Sequence, residues 1–375
     1  MIYKQFQDLS LSALGLGCMR LPTVDGDSSK IDEEKSAEMV EYAMKSGINY
    51  YDTAWGYHSG QSEPVMGEIL SAYPRESFYL ASKFPGYDLA NIPKVAEIFE
   101  QQLERCRVEY FDFYMFHNVC EANLEAYLDP ANGIFDYLME QKRKGRIRHL
   151  GFSTHASLEG MRRFLDAYGR DMEFCQIQLN YLDWTFQQAK EKVEMLKEYN
   201  VPVWVMEPLR GGKLANLGQA QAAALQAVRN ESVPAVAFRF LQAIPTVTVT
   251  LSGMSNMAQL QENMAVFSEH KPLNGVEFDG VLAVADEMRK TFLPCTSCRY
   301  CTEYCPQELD IPALLKRYNE YAFTGAAISP AVLQKFPAEK QPGACLGCHS
   351  CEAVCPQNIK IADVMADFAG RVQKA

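Results

Sequence analysis

Eight of the twelve cysteines lie between Cys295 and Cys355, in the runs CTSCRYCTEYCP and CLGCHSCEAVCP. Both read C-x₂-C-x₂-C-x₃-C-P. Three thiolates at three-residue intervals can cap three corners of a cubane iron–sulfur cluster, a fourth can reach a neighbouring site, and the proline turns the chain away. Zinc sites more often pair two C-x₂-C units across a long gap, and a disulfide framework would spread its cysteines along the chain. The spacing therefore favours two [4Fe–4S] clusters over zinc or disulfides, with Cys295, Cys298, Cys301, Cys305, Cys345, Cys348, Cys351 and Cys355 as ligands. Cys18, Cys106, Cys120 and Cys175 are scattered, as ordinary packed thiols are. Cys18 differs in ending a strand candidate.

A second set could act on a carbonyl group. Asp52, Lys83 and His117 each close an apolar, β-rich run, and Tyr57 follows in DTAWGYHSG. A tyrosine hydroxyl with an ordinary pKa of about 10 is a poor acid at neutral pH, but a neighbouring ammonium stabilises its phenolate. Lys83 can supply that ammonium, Asp52 can hold it charged, and His117 can donate a hydrogen bond to an oxygen gaining negative charge. One such residue alone means little; four on one rim would make a site for carbonyl reduction.

Such a rim needs strands that end together. Eight strand candidates recur: LGLGCM (14–19), INYYDT (48–53), FYLASK (78–83), FDFYMFH (111–117), IRHLGFS (147–153), FCQIQL (174–179), PVWVME (202–207) and VTVTLS (247–252). Stretches with helical spacing lie between them, such as 32–47, 92–106, 133–145 and 188–200, several closed by Gly or Asn. Repeated strand–helix units predict parallel pairing and right-handed crossovers. Eight units fit an α/β fold of the (β/α)₈ TIM-barrel kind, in which functional residues sit at the C-terminal strand ends. A doubly wound open sheet is the second choice, weakened because GLGCMR lacks the full GxGxxG of a dinucleotide-binding turn. Past about 275 the pattern changes to a helix at 276–292, a helical piece at 311–323 and the cysteine runs. The expected division is a barrel over 1–280 and a small helical cluster domain over 281–375.

Composition sets outer limits. Asp and Glu outnumber Lys and Arg by 47 to 36, a net charge of −11, with no basic block to track a phosphate backbone, so nucleic acid is not an expected partner. No apolar run approaches the ~20 residues of a membrane helix, and the start carries no secretion signal, so the expected location is the cytoplasm, away from membranes.

With SALGLGCMRLP, YYDTAWGYHSG, Lys83 in ASKFP, His117 in YMFHN, GFSTH and EPLRGG, the chain resembles the aldo-keto reductases over about residues 1–270. The family's Asp–Tyr–Lys–His tetrad is matched at Asp52, Tyr57, Lys83 and His117. With its cysteine runs it resembles members fused to a ferredoxin-like domain. The resemblance implies a cofactor, NADP(H) or NAD(H), extended across the barrel mouth. It points to Ser153 and Gln176 for the carboxamide, and to Leu209, Gly211, Gly212, Gly253 and Ser255 for the phosphates. Thr154 stands where many members have Asn, and Met206 where many have an aromatic ring. Glu262 and Asn263 are kept, yet Gln259 occupies the position where NADPH-preferring members commonly carry an arginine against the 2′-phosphate.

The 39 residues between Cys305 and Cys345 make the cysteine region similar to the α-helical type of dicluster ferredoxin. By that analogy the fourth cysteine of each run crosses over. One cluster takes Cys295, Cys298, Cys301 and Cys355, and the other takes Cys345, Cys348, Cys351 and Cys305.

The expected activity is hydride transfer between a nicotinamide and a small carbonyl or alcohol, with the clusters carrying single electrons. An alternative is an electron-transfer protein whose barrel binds NAD(P) or docks a partner flavoprotein. A third is a scaffold that senses nicotinamide. Hydride carries two electrons and each cluster one, so a redox partner such as a flavoprotein or ferredoxin is expected.

Overall fold

The computed structural model describes residues 1–295 and 298–373. Its residues fall into two compact units, one of residues 1–211 with 234–275 and the other of residues 212–233 with 276–375.

The first unit opens with an antiparallel hairpin, β1 (Tyr3–Phe6) and β2 (Leu9–Ser12). Eight parallel strands follow and close on themselves: β3 (Leu14–Gly17), β4 (Tyr50–Asp52), β5 (Tyr79–Phe84), β6 (Phe111–Val119), β7 (Ile147–Thr154), β8 (Cys175–Gln178), β9 (Val203–Met206) and β10 (Val247–Ser252). Every strand candidate of the sequence has its counterpart in this barrel. The first is shorter than its apolar run, and Cys18 lies just past it in a 3-10 turn, Cys18–Arg20.

Residues of the hairpin and the strands share one apolar cluster, in which Phe6 and Leu11 join Tyr50, Phe113, Phe174, Trp204 and Val249. Burying an aromatic or aliphatic side chain of this kind contributes about 1.5–3 kcal/mol. Gly15 and Gly151 make room for the cluster: a Cβ on Gly15 would lie 2.8 Å from Leu251, and one on Gly151 would lie 2.4 Å from the Phe174 carbonyl oxygen. Helices alternate with the strands under ordinary caps. Asp32 accepts the Lys35 N–H ahead of Glu33–Lys45, and Ser157 accepts the Gly160 N–H ahead of Leu158–Tyr168.

The second unit is helical. Its C-terminal part is a repeat at an offset of fifty residues, from Cys295 onward and from Cys345 onward. In each half a one-turn helix, Tyr300–Glu303 or Ser350–Ala353, follows a residue at positive φ, Arg299 (66°) or His349 (59°). A longer helix then follows, Ile311–Ala322 or Ile361–Gln373. Leu309, Ile311, Leu314, Leu315, Ile359, Ile361, Met365 and Phe368 from both halves share one core. Residues 212–233 join this unit: the Gly218 N–H donates to the Thr324 carbonyl at 2.5 Å, and Lys213 pairs with Glu320 at 3.2 Å. Among the described residues no helix is long and apolar enough to cross a membrane.

Candidate active site and cysteine cavities

Strand ends assemble the carbonyl site. Gly17 pairs with Asp52, and Asp52 with Ala81, so Asp52 and Lys83 project from neighbouring strands into the mouth of the barrel. Lys83 is fully buried, and its Nζ donates to Asp52 Oδ1 at 2.7 Å, to the Thr53 carbonyl at 2.8 Å and to Tyr57 Oη at 3.2 Å. Three acceptors for three N–H groups leave the ammonium nowhere else to point.

Tyr57 reaches Lys83 because the loop after β4 is tightly wound. His58 and Ser59 both have left-handed backbones, φ 52° and 56°, which costs an L-residue about 1–2 kcal/mol each. The buried His58 ring holds that turn: Nε2 accepts the Leu21 N–H at 3.1 Å, and Nδ1 donates to the Ser28 carbonyl at 2.7 Å.

His117 arrives by a different device. The β6–β7 register shifts between Phe116 and Val119, a bulge that re-aims side chains. Tyr127 donates to the His117 carbonyl at 2.9 Å, and the Asn118 N–H donates to Ser153 Oγ at 2.8 Å. The imidazole stands edge-on to Tyr57, ring centres 6.1 Å apart, and its Nδ1 is buried without a partner.

Burial dominates the charges here. It opposes the Lys83 ammonium, but Asp52 and Tyr57 together outweigh it and hold the group charged. Tyr57 departs from the simplest expectation, because burial raises its hydroxyl more than Lys83 lowers it, and the phenol stays protonated. His117 is pushed well below the ordinary imidazole range, by burial first and Lys83 next, and is neutral. A histidine whose folded pKa lies under its unfolded value of about 6.5 withholds a proton that the unfolded chain accepts, so its stabilising effect is lost as pH falls below about 6.5. The His117 ring resonances are accordingly expected to hold still in NMR spectra between about pH 8 and 5.5; a midpoint near 6.5 would mean a charged, solvated ring.

The nucleotide candidates lie on other strand ends. Ser153 and Gln176 are paired in register across β7 and β8, both buried, and Gln176 Oε1 has no partner. A lone buried acceptor fits an incoming carboxamide N–H. The Thr154 hydroxyl is committed to the Val119 carbonyl at 2.9 Å. Leu209 and Gly211 follow β9, Gly211 at φ 66°, while Gly212 at φ 89° is the first residue of the other unit. Gly253 follows β10, and Ser255 Oγ donates to the Arg20 carbonyl at 2.9 Å. A Cβ on Gly253 would meet the Arg20 stem at 3.0 Å, and one on Gly211 its guanidinium at 2.8 Å, so both glycines make room for an arginine that the sequence pattern does not single out. Gln259 folds onto its own helix start: its Oε1 accepts the Ser255 N–H at 2.8 Å, and its NH₂ can turn to a ligand. Asn263 is buried and donates to Ser252 Oγ at 3.0 Å.

The eight clustered cysteines line two cavities. One is lined by Cys295, Cys298, Cys301 and Cys355, the other by Cys305, Cys345, Cys348 and Cys351. Three residues of one run thus meet the last residue of the other, and four thiols per cavity is the donor set of a cubane cluster. Burial pushes the Cys301 and Cys351 thiols up to about 11, so a metal must displace their protons.

Residues 13–284 match the model of the aldo/keto reductase family, and residues 294–359 that of the 4Fe-4S dicluster domain. The chain is 24% identical to the uncharacterized oxidoreductase YqkF of Bacillus subtilis, over 68% of this chain and 87% of that protein. It is 26% identical to the NADH-specific methylglyoxal reductase of Escherichia coli, over 55% of this chain and 66% of that enzyme. With probable aldo-keto reductase 1 of Glycine max it shares 27% identity, over 56% of this chain and 60% of that protein. Among solved structures, an aldo-keto reductase from Bacillus halodurans in its holo form superposes with a TM-score of 0.62 at 24% identity, over 76% of this chain and 96% of that one. One from Klebsiella pneumoniae in complex with NADPH gives 0.60 at 18% identity, over the same shares. At these identities the structures speak for the fold.

Proposed function

The chain belongs to the aldo/keto reductase family of NAD(P)H-dependent oxidoreductases and carries a 4Fe-4S dicluster domain, and from this premise we propose that it reduces the carbonyl of a small aldehyde or ketone, or oxidises the matching alcohol. The observation that carries the proposal is the chain of contacts from Asp52 through Lys83 to Tyr57, beside a neutral His117.

When bound, the nicotinamide supplies a hydride to the carbonyl carbon. Tyr57 gives its hydroxyl proton to the carbonyl oxygen and is reprotonated from solvent. Lys83 stabilises the phenolate left behind, and Asp52 keeps Lys83 charged and aimed. His117 uses its one N–H to orient the oxygen and share its growing charge. Ser153 and Gln176 hold the carboxamide; Leu209, Gly211, Gly212, Gly253 and Ser255 hold the phosphates; Gln259 and Asn263 face the adenosine end. The functional division falls near residue 280. Beyond it, Cys295, Cys298, Cys301 and Cys355 hold one [4Fe–4S] cluster, and Cys305, Cys345, Cys348 and Cys351 a second, each exchanging single electrons with a redox partner such as a flavoprotein or ferredoxin. Eight cysteines as cluster ligands and four unpaired thiols suit the reducing cytoplasm.

A neutral Gln259 offers a 2′-phosphate no charge, and the similar Escherichia coli enzyme is described as NADH-specific, so we propose NADH as the donor. Anaerobic turnover of a carbonyl panel is expected to favour NADH over NADPH. Gln259→Arg should move that preference toward NADPH by about tenfold or more, the scale of one charged hydrogen bond. Gln259→Met, which loses the same cap without adding charge, should not. Binding of both nucleotides with no turnover of any carbonyl would remove the reductase reading.

A further inference from the structure

The mechanism leaves several heavily bonded buried acidic side chains in the barrel unit unused, Asp112, Asp183 and Glu63 among them. Glu63 is the second residue of the helix Ser62–Leu70, which starts directly after the Tyr57 turn, and it is fully buried. An acid in a first helical turn normally faces water beside the positive helix end. Glu63 faces inward instead, behind β5. Its Oε1 accepts from Ser82 Oγ at 2.7 Å and from Gln102 Nε2 at 2.6 Å, and its Oε2 accepts from Arg105 at 3.4 Å. Gln102 Nε2 also lies 3.1 Å from the Lys83 carbonyl oxygen, while its Oε1 accepts the Tyr114 hydroxyl at 2.6 Å. Two helices must approach closely for this, and Gly67 allows it: a Cβ there would lie 2.3 Å from the Arg105 carbonyl.

The preceding residue grips the other side. Ser62 Oγ donates to the Cys18 carbonyl at 2.9 Å and lies 2.9 Å from Thr53 Oγ1. Thr53 is the residue whose carbonyl takes a Lys83 N–H. Two consecutive side chains therefore bond the neighbours of both members of the Asp52–Lys83 pair, Thr53 beside Asp52 and Ser82 beside Lys83.

A carboxylate accepts and cannot donate, so it forces a direction on its partners. Ser82 and Gln102 must both donate to Glu63. That turns the Gln102 NH₂ toward β5, where Ser82 Oγ at 2.9 Å and the Lys83 carbonyl at 3.1 Å share its second N–H, and its oxygen toward Tyr114. A neutral amide at position 63 could flip and release the arrangement. We propose that Glu63 is a positioning residue that sets the backbone of Lys83, and through it the contact between Lys83 and Tyr57. The inference rests on the roles given above to Lys83 and Tyr57.

The test is Glu63→Gln in the full-length protein, with kcat, KM and the pH profile of kcat measured alongside thermal melting. Displacing Lys83 is expected to lower kcat by about 10²-fold, the cost of a misplacement near 1 Å, with KM changed by no more than about twofold. The alkaline limb of kcat should move to higher pH, because Tyr57 loses part of the ammonium that lowers its pKa. A lower melting temperature with wild-type kcat and an unmoved limb would make Glu63 merely structural and overturn the inference. If Glu63→Gln does not fold, Gln102→Met removes the donor to Lys83 and is read in the same way. Tyr57→Phe serves as the control: if it stays active, the site reading above fails independently of Glu63.

Discussion

Tyr57→Phe is expected to lower kcat by about 10²–10⁴-fold, the range for losing a positioned general acid, and to leave nucleotide affinity nearly unchanged. The substitution removes one oxygen and little else. The ring can still stand edge-on to His117, and Lys83 keeps Asp52 at 2.7 Å and the Thr53 carbonyl at 2.8 Å, so the ammonium stays seated. What disappears is the proton itself, together with the acceptor 3.2 Å from Lys83 Nζ. Single-turnover loss of reduced-nicotinamide absorbance measures the chemical step, and titration of the variant with the nucleotide gives the affinity. Retention of kcat within a few-fold would mean that water or another side chain protonates the oxygen. A collapse of affinity would mean that Tyr57 is a binding residue.

The second large effect concerns the crossed cysteines. Cys305 lines the cavity of Cys345, Cys348 and Cys351, whereas Cys355 lines that of Cys295, Cys298 and Cys301. Cys305→Ser is therefore expected to damage the cluster of the opposite run. Anaerobically purified protein should lose about half of its iron, and its EPR spectrum after dithionite should match that of Cys348→Ser. Cys355→Ser should match Cys298→Ser in the same way. Matches within each run, Cys305 with Cys298 and Cys355 with Cys348, would mean that each run holds its cluster alone. Unchanged iron in all four variants would exclude the proposed ligand sets.

The barrel was readable because each of its strands is an apolar run closed by a turn, and closure depends on little beyond eight such runs. Asp52 and Lys83 were readable for the same reason, as strand ends are places where local pattern already says which way a residue faces. Three features left no such trace. The hairpin Tyr3–Phe6 with Leu9–Ser12 has strands of four residues and turns at Gln7, a non-glycine residue at φ 52°, with no Asn-Gly or Asp-Gly signal. The helix Gln219–Val228 lies in a stretch that keeps company with the second unit, a fact of tertiary packing alone. Glu63 looks like an ordinary acid at a helix start, and its partner Gln102 lies 39 residues away. A bond between residues so distant in sequence has no local signature, and burial, which makes the bond matter, is decided by the whole fold.

Trp55 lies between Asp52 and Tyr57, just ahead of the left-handed turn at His58 and Ser59, with the Arg105 guanidinium 3.8 Å from its ring centre, and Arg105 in turn bonds Glu63. The chain has three tryptophans, and Trp204 is sealed in the apolar cluster of the barrel. Indole fluorescence responds to a stacked cation and overlaps the absorption of a reduced nicotinamide. The half-buried Trp55 thus gives the loop an intrinsic optical probe, placed where ligand arrival and any shift of Arg105 would alter its emission without an attached dye.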